Sequence, residues 1–284
     1  MTAYAELQCT SNFSFLRGAS QPEELASQAK HLGLAALAVT DRNTLAGVVR
    51  APGAAKDAGL QFVVGARLDI LPSPLAGEGG AQRRMRGLAP STPHPSRADG
   101  AIHLLPQGEK GKGGSFPLLA YPTTRAAYGA LCRLLSLGQR RAEKGQCLIT
   151  LDDVYSHAPG MIFALLPDGI AHLAEIRQRL KAPLYLAVNH LYRGDDRARI
   201  NRLAGIAHTH QTPLLATNDV LYHHSSRRVL QDVVTAIREG VQVAEAGYRL
   251  EANAERHLKT PDEMARLFGD HPQAIANTLA IAKA

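Results

Sequence analysis

The sequence predicts an α/β fold in which a mostly parallel sheet curves into a βα barrel and is followed by a helical appendage. Over residues 1–224, short apolar runs alternate with helical patterns, as they do in βαβ units with parallel strands. Polar residues stand at the ends of several of these runs, and converging strand ends favour a barrel over an open sheet. Over residues 225–284 the pattern is purely helical. These observations divide the chain into a barrel and a helical segment.

The first half of the barrel contains three predicted strands and two predicted helices. The strands are the apolar runs at residues 4–9, 34–41 and 60–70, and the second is continuously apolar, as is typical of a strand buried on both faces. The helices span residues 21–33 and 44–59. Gly33 is a C-cap signal for the first helix. Pro52 lacks a backbone N–H, so we expect a kink or a break near Arg50 in the second helix.

The second half repeats the alternation. Strands are predicted at residues 116–122, 160–167, 183–190 and 212–219, with helices at residues 124–138, 169–181 and 196–211 between them. Asp41, Arg67, His190 and Asp219 stand at the ends of strands, where parallel sheets carry their functional groups. Two further helices are predicted at residues 225–240 and 260–272, the latter with Thr260 as N-cap.

Residues 72–114 do not fit the alternation, because they are rich in Gly, Pro and Arg and have no hydrophobic period. Such a segment buries too little apolar area to offset the entropy lost on ordering, so we expect a disordered insertion between two strands. Two interpretations stay open: a basic loop that contacts DNA, and a neutral surface insertion. We favour the neutral insertion, since added loop length costs little free energy.

The composition excludes several classes of protein. The chain is 45% hydrophobic and has no Trp, which allows a sizeable core but argues against a stacking platform for single-stranded nucleic acid. The net charge of +7 and a pI near 9.5 suit a partner that carries phosphate. Three cysteines without paired spacing build neither a zinc ribbon nor a disulfide framework. No signal peptide or membrane span is recognisable, so we expect a cytoplasmic protein without a membrane partner.

Several segments resemble the amino-terminal region of bacterial error-prone DNA polymerases, C-family enzymes related to the replicative polymerase alpha subunit. The segments cover nearly the whole chain outside the insert, and they read YAELQCTSNFSFLRGASQPEEL, ALAVTDRNTLAGVVRA, LLAYPTTRAAYGALCRLLSLGQRRAEKG, NHLYRGDD, PLLATNDV and NAERHLKTPDEMARLF. The resemblance implies a PHP (polymerase and histidinol phosphatase) domain, a distorted, TIM-like βα barrel whose metal-binding members hydrolyse phosphoesters. In those members, His and carboxylate side chains at the strand ends hold divalent metals that activate water.

The resemblance also implies that the metal site is degenerate. The positions that correspond to ligands in active members are Gln8, Thr10, Arg17, Arg42, Arg67, His190, Asp219 and Leu221. A carboxylate at Asp219, an imidazole near His190 and the retained Asp41 are too few donors for a metal cluster, and arginines repel divalent cations. We therefore expect no metal, no cofactor and no catalytic residue in this chain.

The three arginines suggest a hypothesis of their own. Guanidinium groups at Arg17, Arg42 and Arg67 could converge where cations sit in active members, pair with Asp41 and Asp219, and leave surplus positive charge that binds phosphate or sulfate. The alternative is that the arginines reach outward into solvent.

The resemblance implies a parent enzyme that polymerises DNA in damage-induced mutagenesis and translesion synthesis, with Mg²⁺ held by palm carboxylates outside this chain. We expect the barrel to be a structural module whose partners are the palm and thumb of the polymerase, DNA, the sliding clamp and mutagenesis accessory proteins. The competing interpretations are a metal-dependent phosphoesterase or 3′–5′ exonuclease and a DNA-binding module. Residues 253–264 could form a docking surface for the thumb or palm, but we expect a solvated helical face there.

Overall fold

The computed structural model describes residues 2–71 and 114–284, so the predicted insert at 72–114 lies, except for its last residue, outside the described part. The eight strands of the described residues form one sheet. They are β1 (Ala5–Cys9), β2 (Ala36–Arg42), β3 (Gln61–Leu71), β4 (Phe116–Pro122), β5 (Ile149–Thr150), β6 (Met161–Leu165), β7 (Leu184–Asn189) and β8 (Leu214–Thr217). The predicted α/β class is confirmed, and each strand predicted from the sequence is present within a few residues of its expected bounds.

The sheet curves into a nearly closed barrel. Its strands follow the order β1-β2-β3-β4-β6-β7-β8, and the short β5 pairs with β3 off this path. The two end strands meet just beyond their carboxyl ends, where Val220 O accepts from Thr10 N at 2.8 Å and Val220 N donates to Gln8 O at 2.9 Å. The sheet is mostly parallel as predicted, although β4 runs antiparallel to both β3 and β6.

The helices of the described residues surround and close this barrel. They are α1 (Pro22–His31), α2 (Ala51–Asp57), α3 (Arg125–Arg140), α4 (Leu151–His157), α5 (Leu173–Arg179), α6 (Asp196–Thr209), α7 (Arg228–Glu239), α8 (Pro261–Leu267) and α9 (Pro272–Lys283). The predicted break near Arg50 is confirmed, because a 3₁₀ helix at Ala46–Val49 precedes α2. Helix α4 was not predicted from the hydrophobic pattern, and it begins with a capping box between Thr150 and Asp153.

Two apolar clusters build the core. The larger lies between the sheet and the surrounding helices, and it includes Leu25 of α1, Leu131 of α3 and Ile200 of α6. The smaller joins residues of β1, β2, β4, β6, β7 and β8, which can meet only because the sheet curves around them. Alanines such as Ala5 and Ala36 are common in this inner cluster, so the barrel interior is narrow and filled.

Helix α9 seals the amino-terminal end of the barrel. Asn277 donates to Leu214 O at 2.7 Å, Ala5 N donates to Thr278 Oγ1 at 3.2 Å, and Ile281 belongs to the inner cluster. The expected helical appendage therefore contributes to the barrel core through its last helix. A domain boundary at residue 224 stays a prediction. Because α9 covers the amino-terminal end of the barrel, the carboxyl-terminal end is the one where a site can lie.

Candidate functional site

The site lies where β1 and β8 end at the carboxyl-terminal mouth of the barrel. Asp219 comes two residues after β8 and has a φ of 47°, in the left-handed region that few residues other than glycine adopt. Its side chain turns towards β1 and is largely buried. Aspartate tolerates this conformation better than most residues, and here it directs the carboxylate towards Gln8.

Gln8 holds one oxygen of this carboxylate. Its amide nitrogen donates to Asp219 Oδ1 at 2.7 Å, and its amide oxygen accepts from Thr217 Oγ1 at 2.8 Å. Gln8 is fully buried, so both ends of its amide are used inside the protein. The neutral amide thus joins the tip of β1 to the end of β8 and the residues that follow it.

Arg256 holds the other oxygen. Its Nη2 lies 2.6 Å from Asp219 Oδ2, its Nε donates to Asp219 O at 2.9 Å, and its Nη1 lies 2.5 Å from Glu251 Oε1. Burial lowers the pKa of the Arg256 guanidinium, but Asp219 and Glu251 outweigh this effect and raise the pKa above its ordinary value. A permanently charged arginine therefore neutralises the carboxylate at the mouth of the barrel.

The segment that carries Arg256 lies across the barrel mouth. Leu221 N donates to Arg256 O at 2.9 Å, and Tyr222 forms an isolated parallel bridge with His257. Lys259 is buried and its Nζ donates to Glu255 O at 2.6 Å. The expectation of a solvated helical face at residues 253–264 is therefore wrong for Arg256 and Lys259. The reason is that this stretch is not helical before α8 and is held against the strand tips.

A second buried carboxyl, that of Glu6, lies below this layer. It accepts from Tyr4 Oη at 2.8 Å, from Gln8 N at 2.9 Å and from Asn218 N at 3.0 Å. Burial raises the pKa of Glu6 to about 7, although these three hydrogen bonds oppose the rise. Glu6 connects the backbones of β1 and the segment after β8, and it was not among the residues predicted from the sequence. The available signal was that Glu6 lies two residues before Gln8 in the strand YAELQC, and therefore on the same face as a predicted ligand position.

Asp41, at the end of β2, is held by hydroxyl groups. It accepts from Ser11 N at 2.9 Å, from Ser11 Oγ at 2.8 Å and from Ser14 Oγ at 2.7 Å. Burial raises the pKa of Asp41, and the serine hydrogen bonds oppose that rise. The carboxylate anchors the loop that follows β1.

Arg42 and Arg67, from neighbouring strands, meet at Asp69. Arg42 Nε donates to Asp69 Oδ2, and Arg67 Nε lies 3.6 Å from Asp69 Oδ1. Pairing of these arginines with Asp41 or Asp219 stays a prediction, and the contacts described here involve other partners. Asp219 pairs with Arg256, and Asp69 on β3 is the carboxylate that Arg42 and Arg67 share. Parallel neighbours β2 and β3 place the residues side by side, because Arg42 and Arg67 are in register.

The remaining predicted positions lie in or beside the mouth of the barrel. Thr10 and Leu221 are buried, and Leu221 packs with Ala19 and Tyr222. The His190 ring lies edge-on to the Tyr192 ring, with centroids 5.0 Å apart. Arg17 lies in the loop after β1, and its backbone oxygen accepts from Gln231 Nε2 of α7 at 2.8 Å. Anion binding by Arg17, Arg42 and Arg67 stays a prediction.

These residues do not fit a divalent metal cluster. One Asp219 oxygen is bound by an amide and the other by a guanidinium, while Asp41 is bound by two serines. Within residues 2–71 and 114–284, no group of three or more His, Cys, Asp or Glu side chains has the proximity that a metal ion requires.

Among the same residues, no helix is both long and apolar enough to cross a bilayer.

Comparison with known proteins points to one family. The model of the PHP domain matches residues 6–207. An error-prone DNA polymerase of Caulobacter vibrioides is 43% identical over 98% of this chain, and one of Mesorhizobium japonicum is 44% identical over 99%. The chain spans 22% of the length of each of these relatives. Among solved structures, an amidohydrolase from Chromobacterium violaceum is 14% identical with a TM-score of 0.49, covering 77% of this chain and 87% of that one.

Proposed function

The chain belongs to the PHP domain family, and on that premise we propose that it is the PHP domain of an error-prone DNA polymerase in which the barrel is a structural module without hydrolytic activity. One observation carries the proposal: Asp219, the carboxylate left from the terminal metal motif, is bound on one side by Gln8 and on the other by Arg256. A metal ion would have to displace both.

The physical argument compares what the two kinds of cation supply. A divalent metal stabilises folding by joining several strand tips, and it polarises a phosphate and a water for hydrolysis. Arg256 can join strand tips through charge-assisted hydrogen bonds, but it supplies neither an open coordination position nor an acidic water. If Arg256 takes the place of a metal ion, the strand tips stay joined, but phosphate and water are no longer activated for hydrolysis.

The activity of the whole polymerase is part of the proposal. The relatives are about 4.5 times longer than this chain, so polymerisation on Mg²⁺, DNA binding, translesion synthesis and damage-induced mutagenesis would depend on the rest of such a protein. Its palm and thumb are the proposed partners of the barrel, and the sliding clamp and mutagenesis accessory proteins are proposed partners of the assembly. Cytoplasmic location is proposed on the same basis.

The competing function is a metal-dependent phosphoesterase or 3′–5′ exonuclease, and one experiment separates it from ours. The protein is purified without chelator, its manganese, zinc and iron are measured by elemental analysis, and release of nucleotide from a primer end is followed with MnCl₂ or ZnCl₂. We expect much less than one metal per chain and no release that EDTA abolishes.

The matched control is Asp219→Asn, which removes the retained carboxylate. Stoichiometric metal together with EDTA-sensitive release that this substitution abolishes would refute the structural proposal. Release that persists unchanged in the Asp219→Asn protein would come from a contaminant.

A further inference from the structure

Helix α7 has an inverted distribution of polar and apolar residues. Val229, Leu230, Val233 and Ile237 are exposed, with 74% of Val229 and 60% of Ile237 accessible in the described structure. At 100° per residue these four side chains lie within an arc of about 100°, so they form one continuous stripe. We call this stripe the α7 outer face.

The opposite side of α7 is polar and faces the barrel. Gln231 and Thr235 are buried, and Gln231 Nε2 donates to Arg17 O at 2.8 Å in the loop after β1. Arg238 Nη1 donates to Leu16 O of the same loop at 3.1 Å. Hydrogen bonds therefore hold the helix on the barrel mouth, while Val229, Val233 and Ile237 point away from the protein core. Surface helices normally show the reverse arrangement, and contiguous exposed apolar residues mark an interaction site.

The size of the α7 outer face indicates what kind of partner it suits. Four aliphatic side chains on a helix about 18 Å long fall well short of the ~800 Å² per partner that a free-standing protein interface buries. A partner joined to the same chain does not need that area, because tethering gives an effective concentration of the order of millimolar. This favours an intramolecular partner over a second copy of the chain. The relatives supply one, since about four-fifths of their length lies outside the matched region.

We propose that the α7 outer face is the surface on which the polymerase body of the same chain docks. The inference rests on the proposed function, since it takes its partner from the polymerase relatives. It commits to an apolar segment of the body that covers Val229, Val233 and Ile237. The hydrogen bonds from Gln231 and Arg238 to the loop after β1 would then link the docked body to the strand tips around Asp219.

The test measures thiol labelling at two exposed helix positions. Val233→Cys lies in the α7 outer face, and Ala198→Cys lies on the exposed side of α6 as the matched control. Each is made in the 284-residue chain and in a longer polymerase, in which this chain replaces the matched region of the Caulobacter vibrioides relative, and labelling is followed by peptide mass spectrometry. We expect equal rates at both positions in the 284-residue chain. In the longer polymerase, Val233→Cys should react at least tenfold more slowly than Ala198→Cys.

Two results would overturn the inference. Equal rates in the longer polymerase would show that the body does not cover α7. Slow labelling of Val233→Cys already in the 284-residue chain, relieved on dilution, would show that a second copy covers it. Either result leaves the structural role of the barrel intact, because that role is tested separately by metal content and nucleotide release.

Discussion

Replacing Arg256 with alanine should destabilise the barrel far more than replacing an exposed arginine that also forms an ion pair with a carboxylate. Only 13% of the Arg256 side chain is exposed, and it forms ion pairs with Asp219 at 2.6 Å and Glu251 at 2.5 Å. Removing one partner of a buried pair leaves uncompensated charge, which costs about 3–5 kcal/mol. The Asp219 backbone oxygen also loses its hydrogen bond from Arg256 Nε.

Arg197 provides the matched control. Its guanidinium donates to both oxygens of Asp270, at 2.7 and 3.2 Å, but 78% of its side chain is exposed. An exposed pair of this kind contributes about 0–1 kcal/mol, because water and salt screen it. The two substitutions therefore remove the same chemical group and differ mainly in burial.

The assay is equilibrium unfolding in urea, followed by circular dichroism, for the parent chain and both variants. We expect the free energy of unfolding to fall by about 3–5 kcal/mol for Arg256→Ala and by less than about 1 kcal/mol for Arg197→Ala. Adding Asp219→Asn to Arg256→Ala should recover part of the loss, because it removes one of the unpaired charges. Equal effects of the two alanine substitutions would refute the argument that Arg256 takes over the structural role of a metal ion.

Three further predictions concern the neighbouring buried groups. Gln8→Leu should lower the free energy of unfolding by about 1–3 kcal/mol in the same urea assay, since it leaves Asp219 short of a hydrogen bond; no change would contradict the bridging role. Because the folded-state pKa of Glu6, about 7, lies above its unfolded value of about 4.3, the folded protein binds the proton more tightly. The stability contributed by protonated Glu6 is thus fully present below the unfolded pKa and is lost as pH rises to about 7. Thermal melts at several pH values should show this loss in the parent chain relative to Glu6→Gln, and parallel profiles would count against it. A methyl group at Gly47 would collide with the Asp41 carboxylate, so Gly47→Ala should cost about 1–3 kcal/mol in urea unfolding, whereas an unchanged midpoint would mean that the carboxylate can move.

Much of the fold could be predicted because hydrophobic periodicity is a local property of the chain. The continuous apolar run at residues 34–41 became β2, and Pro52 separated a 3₁₀ helix from α2 as expected. The antiparallel direction of β4 could not be predicted, because an apolar run such as FPLLAYP has the same pattern in either direction.

The candidate site was predictable only in part. The resemblance implies that Gln8, Asp219 and Leu221 correspond to ligand positions, of which only Asp219 keeps a metal-ligating side chain. Arg256 was not predicted, since it lies 37 residues after Asp219 in a stretch whose charges are typical of a solvated surface. Nor does the sequence indicate that Arg42 and Arg67 share Asp69, which depends on the register between β2 and β3.

The sequence by itself determined most of the strands and helices and the family resemblance, because both depend on residue type and short-range spacing. The tertiary structure alone decided which cation holds Asp219, how α9 closes the barrel and which side of α7 stays exposed. The physical reason is that burial and pairing depend on contacts between residues distant in the chain. A charged residue such as Arg256 is costly inside a protein until folding brings its carboxylate partners within hydrogen-bonding distance.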